Sequence, residues 1–222
     1  MSFPVRAITL DLDDTIWPIE PVIMRAETVL GAWLEQHAPR TAAHPHLAHD
    51  FTRQRMISLE RMFAAAGDDP ALAGPAFDAF FAARCEVEHY PDSVPALERL
   101  AARLPLAALS NGNACLTRIG LIHLFRFQLG AREHGAAKPA ASIFHAACAQ
   151  LGVEPHAVLH VGDDVELDVV GAHHAGLRTC WINREGHAWP REDLRPDLVF
   201  DSLAGLADWL DAAHSAHAQS AA

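Results

Sequence analysis

Ile8-Thr9-Leu10-Asp11-Leu12-Asp13-Asp14-Thr15-Ile16-Trp17 sets three carboxylates within four residues, at the end of an apolar run that starts near Val5. A short apolar run bounded by polar residues suits a buried strand. Acids just past the carboxyl end of such a strand lie where open α/β sheets bind their ligands. Three acids gathered there repel one another unless a proton or a cation joins them. A hard divalent cation is therefore the expected partner of Asp11 and Asp13.

Beyond Trp17 the pattern changes. Ile23, Ala26, Leu30 and Trp33 recur at helical spacing, followed by a break rich in proline and histidine over 39–49. Two more helical stretches are expected over 50–66 and 75–89, and no segment over 17–90 reads as a strand. Asp92 or Ser93 can cap the next helix. Buried strands are then expected over 106–109, 125–129, 158–161, 179–182 and 198–200, separated by helical segments and closed by a helix bearing Leu203, Leu206 and Leu210. This alternation predicts a doubly wound, Rossmann-like parallel α/β sheet. Residues 1–16 and 91–213 would form that core, 17–90 an all-helical insert, and 214–222 a frayed tail.

Half of the 222 residues are hydrophobic and a fifth are charged, a globular balance. The formal charge of −11 argues against a nucleic-acid or anionic-membrane partner. No apolar run approaches the ~20 residues of a membrane span, and the first residues lack a signal-peptide core. The four cysteines show no paired C-x-x-C spacing. A cytoplasmic monomer or homodimer is expected. His44, His46 and His49, and the pair His173-His174, are read as solvent-facing, and His160 as a hydrogen-bonded core residue.

Three of the expected strands end in polar clusters: Asp11 to Thr15, Ser110 to Asn113, and Gly162 to Asp164. Lys138 opens a helix between the last two. These clusters, in this order, resemble the four motifs of the haloacid dehalogenase superfamily of hydrolases. The resemblance implies an aspartyl-phosphate mechanism in which Asp11 is the nucleophile and Asp13 the general acid and base. It further implies that Ser110, Asn111, Thr15 and Lys138 hold the phosphoryl group, and that Asp11, the Asp13 carbonyl and Asp163 bind Mg²⁺. Asp168 would be a supporting acid. Asp164 would either hydrogen-bond a metal-bound water or order its turn.

Within that superfamily, enzymes that expel a halide lack an acid at the position of Asp13, because halide needs no proton. Asp13 therefore points to a phosphatase acting on a small phosphorylated metabolite. The insert resembles a type 1 helical cap, and D-L-D-D-T with its aromatic, proline-rich exit is similar to flavin mononucleotide phosphatases. Sugar and organic-acid phosphates stay open as substrates. So do a phosphomutase and a non-hydrolytic, phosphoryl-accepting role. Trp17 is read either as a stacking surface for a flavin or as hinge packing.

Overall fold

The computed structural model describes residues 3–38 and 55–220. The histidine cluster at 44–49 lies outside them. The chain divides into two compact units, one of residues up to Pro18 together with Glu88 onward, the other Ile19–Val87.

The first unit is built on six parallel strands: β1 Ala7–Leu10, β2 Leu106–Ser110, β3 Phe127–Gly130, β4 Val158–Gly162, β5 Arg178–Ile182 and β6 Leu198–Phe200. Their order across the sheet is β3-β2-β1-β4-β5-β6. This is the doubly wound arrangement expected, with helical connections. Every residue of β1, β2 and β4 is buried, which is why their sequences read as continuous apolar runs rather than alternating ones. Leu10 pairs with Val161 and with Ala108, so the ends of these three strands come level. The connection order reverses between β1 and β4, and a crevice at such a switch point is the usual ligand site of an open parallel sheet.

The second unit holds α1 Ile19–His37, α2 Arg55–Ala66 and α3 Ala73–Arg84. It has its own apolar core, including Ala26, Leu30, Leu34, Leu59, Phe63, Ala76 and Phe80. α3 stops at Arg84, short of the expected His89. The following residues include Val87, and Tyr90 precedes a proline, which disfavours helix.

The remaining core helices are α4 Ser93–Ala101, α5 Leu116–Ile119, α6 Ala131–His134, α7 Ala141–Leu151, α8 Gly171–His174 and α9 Leu203–Ser220. Two of them depart from expectation. α9 continues to Ser220, where a frayed tail was expected after residue 213; its alanine-rich end is a good helix former. Asp92 makes no side-chain cap to α4. Its carboxylate instead accepts from the backbone N–H groups of Leu203 and Ala204 at 2.8 and 3.3 Å, capping α9 from a distance. Arg184 Nη1 and Nη2 donate to it as well, at 2.9 and 3.3 Å. Partial burial opposes ionisation of Asp92, but these donors outweigh it and hold the carboxyl below the usual range. A lowered folded pKa stabilises above the unfolded value and is lost as pH falls. Asp92→Ala should therefore cost about 2 kcal/mol in urea unfolding at neutral pH, and much less below the ordinary carboxylate range.

No helix among the described residues is long and apolar enough to cross a membrane. All four cysteines are free thiols.

Candidate active site

The site forms at the level carboxyl ends of β1, β2 and β4. Asp11 follows β1 directly, and its N–H donates to Val161 O at 2.8 Å, prolonging the ladder by one residue. Asp163 follows Gly162 at the end of β4. A π-helical turn, Val165–Val170, comes next where a regular helix was expected. Such widened turns occur frequently at functional sites, and this one carries the buried Asp168.

Lys138, 3% exposed, is the cation of the site. Its Nζ donates to Asp11 Oδ1 and, at 2.6 Å, to Asp168 Oδ1. Burial opposes the ammonium, but the two carboxylates overcome it and raise its pKa. The two acids share this lysine unequally. Asp168 Oδ1 also accepts from His160 Nε2 at 3.0 Å and its Oδ2 from Asp164 N at 3.1 Å. Burial works against its charge, yet Lys138 and His160 prevail and hold Asp168 far below the carboxylate range. For Asp11, burial dominates; Asp168 and Asp163 add repulsion, and the carboxyl is pushed well above its ordinary value despite Lys138.

His160 is buried and hydrogen-bonded, as expected. Asp168 is an ionised acceptor, so Nε2 carries the imidazole hydrogen, and Nδ1 accepts from the Thr9 hydroxyl at 2.9 Å. Burial depresses the His160 pKa and keeps the ring neutral. Gly162 is required by this close packing: a Cβ there would lie 2.2 Å from Asp168 Cγ.

Carboxylate oxygens of Asp11, Asp163 and Asp168 lie within 4.8 Å of one another. Asp163 is pushed up to about 7, first by burial and then by Asp168 and Asp14. Acids this crowded, with oxygen as the only donor element, fit a hard divalent cation such as Mg²⁺. Asp168 is committed to lysine, imidazole and backbone donors. Asp11 and Asp163 are the side chains suited to the metal.

The other expected site residues have partners within the protein. Thr15 is 0% exposed, and its hydroxyl donates to Asp163 Oδ1 at 3.1 Å. It ties the first loop to the fourth. Asn111 Oδ1 accepts from Lys138 N at 2.8 Å, and its Nδ2 donates to Lys138 O at 2.9 Å. Its amide thus grips the lysine backbone, ahead of the cis Lys138–Pro139 peptide. Ser110 Oγ accepts from Gly112 N at 3.0 Å, which leaves the hydroxyl hydrogen to donate elsewhere. Asp164 Oδ1 accepts from Glu166 N and Leu167 N, both at 2.8 Å, so it orders its turn. Asp13 Oδ1 accepts from the Trp17 indole at 2.8 Å. His173 and His174 are exposed.

Two further residues, outside the four motifs, support the acidic loops. Trp181 Nε1 donates to Asp163 O at 2.7 Å, and Arg184 Nη2 to Thr15 O at 3.0 Å. Both come from the end of β5, so that strand braces the two acidic loops. An indole in a buried strand must find an acceptor; the sequence carries that signal but not the acceptor's identity.

The chain matches the family model of haloacid dehalogenase-like hydrolases over residues 5–176. It is 34% identical to the 5-amino-6-(5-phospho-D-ribitylamino)uracil phosphatase YigB of Escherichia coli K12, covering 91% of this chain and 94% of that protein. It is 28% identical to a glyceraldehyde 3-phosphate phosphatase of Methanopyrus kandleri, covering 92% and 96% respectively. Among solved structures, a 2-haloacid dehalogenase from Pseudomonas syringae pv. Tomato DC3000 superposes with a TM-score of 0.86 at 33% identity, over 93% of this chain and 98% of that one. The matched residues run from before β1 to beyond the Asp163 loop, and the chain belongs to the haloacid dehalogenase-like hydrolase family.

Proposed function

We propose that the protein is a Mg²⁺-dependent phosphatase that hydrolyses small phosphate monoesters through a phosphorylated Asp11. The observation that carries this reading is a buried acid gripped by Lys138, with a second acid, Asp13, two residues further along the same loop. Asp11 attacks phosphorus as the ester P–O bond breaks, and Asp13 gives its proton to the departing oxygen. Asp13, now ionised, takes a proton from the water that attacks the acyl phosphate. Orthophosphate leaves and Asp11 is restored. Lys138 offsets charge on the nucleophile and the transferring group, and the Ser110 hydroxyl donates to a phosphoryl oxygen. Mg²⁺, held by Asp11, Asp163 and the Asp13 carbonyl, would supply the charge neutralisation that lets a carboxylate approach a phosphate dianion.

The similarity to a 2-haloacid dehalogenase raises a competing chemistry. Halide departs without a proton, which leaves Asp13 without work in dehalogenation; an alkoxide leaving group requires one. The curated phosphatases are named for a phosphoribityl compound and a triose phosphate. Those names support phosphate esters of sugar-derived chains as the substrate class, and flavin mononucleotide carries the same phosphoribityl group. The insert Ile19–Val87 would act as the cap that closes over such a substrate.

The test is a release assay on a panel of flavin mononucleotide, sugar phosphates, phosphoglycolate, p-nitrophenyl phosphate and 2-chloropropionate. Orthophosphate release that falls at least about 100-fold on chelation and returns with Mg²⁺ is expected. Metal-independent halide release, with no orthophosphate from any ester, would contradict the reading.

A further inference from the structure

We infer that Trp17 is a positioning residue: its indole N–H fixes the Asp13 carboxylate for proton delivery to the leaving oxygen. The inference rests on the phosphatase reading above, and specifically on Asp13 as the general acid.

Asp13 lies in a loop past the end of β1, and its carboxylate is only half-buried. A carboxylate in such a place samples several rotamers unless a rigid neighbour holds it, and proton transfer needs the acid within hydrogen-bond reach of one oxygen. Trp17 supplies a rigid neighbour. Its side chain is 0% exposed, so the ring offers no face to a flavin. Burial also obliges the indole N–H to find an acceptor. That acceptor is Asp13 Oδ1 at 2.8 Å, a charge-assisted bond whenever Asp13 is ionised.

The backbone brings the two residues together. Asp14 adopts the left-handed conformation with φ of 57°, and its N–H donates to Trp17 O at 2.7 Å. Ile16 N donates to Leu12 O at 2.9 Å, and Asp13 and Trp17 form an isolated parallel bridge. The turn thereby returns Trp17 alongside the acid four residues earlier. It is pinned from the returning chain, where Tyr90 N donates to Ile16 O at 3.1 Å and the His89 ring meets Trp17 edge-on at 5.9 Å.

The experiment compares kcat/KM of wild type and Trp17→Phe, which keeps an aromatic ring and removes the donor. Two substrates are used: p-nitrophenyl phosphate, whose leaving group departs as a stable anion, and the best alkyl phosphate of the panel. The alkyl value should fall about 10- to 30-fold and the aryl value less than about 3-fold, because only the alkoxide depends on a well-placed acid. Equal losses on both substrates, no loss, or a gain would overturn the inference. Asp13→Asn is run beside it. If Asp13→Asn itself shows no leaving-group preference, the general-acid reading fails first and the inference falls with it. Should Trp17→Phe not fold, ¹⁵N spectra of the tryptophan indoles decide the contact in the wild-type protein. One of the five indole N–H signals should move upfield in Asp13→Ala; five unchanged indole signals would refute the hydrogen bond.

Discussion

Asp11→Asn is expected to lower orthophosphate release by at least about 10⁴-fold while leaving the protein folded and no less stable. The loss follows from chemistry, since an amide oxygen is a poor nucleophile and no other described carboxylate is both gripped by Lys138 and free to react. The retained stability follows from electrostatics. Burial pushes the Asp11 carboxyl well above its ordinary value, so its ionised form is a cost to the fold at neutral pH. Replacing it with a neutral amide removes that cost and leaves Lys138 paired with Asp168. Thermal unfolding of the metal-free proteins should give an equal or higher midpoint for the variant. A fall in stability matching the fall in activity would mean that Asp11 is structural.

Asp168→Asn is expected to do the opposite, destabilising the protein by about 3–5 kcal/mol in urea unfolding at neutral pH and lowering activity with it. The acid accepts from Lys138, His160 and the Asp164 backbone, and its carboxyl is held far below the usual range. A depressed folded pKa contributes stability above the unfolded value and loses it as pH falls. The amide leaves the buried ammonium leaning on Asp11 alone and sets an NH₂ group near donors that need an acceptor. A loss of this size is a large part of the roughly 5–15 kcal/mol that holds a domain together. One substitution type at two acids of the same cluster thus separates a nucleophile held at a cost from an anchor that stabilises the fold. Equal effects at both positions would contradict that division.

The sheet was legible because its inner strands are buried on both faces. Residues 106–109 and 158–161 have no polar alternation to confuse them with helices, and each ends in a polar cluster that marks the site edge. The residue types of the site were legible too, down to the isolated Lys138. What sequence did not reveal was the choice of partners. The sequence marks Thr15 as a hydroxyl at the strand end, but not that its acceptor is Asp163, 148 residues away. It marks Asn111 as a polar amide, but not that both ends of that amide meet the Lys138 backbone. Asp92 sits where it would cap its own helix, yet it caps one 111 residues later. Each is a long-range pairing decided by tertiary packing, as is the π-helical turn that turns Asp168 inward. Composition and periodicity record which groups need partners, and only the fold says which partners they find.

The most direct test of the account is a rapid-quench experiment on the wild-type protein with ³²P-labelled substrate and Mg²⁺, in which acid-stopped protein is digested and the labelled peptide sequenced. The account predicts a hydroxylamine-labile phosphoryl group on the peptide carrying Asp11, formed before orthophosphate appears and missing from Asp11→Asn. Orthophosphate formed in the first turnover with no labelled peptide, or label on any other residue, would contradict it.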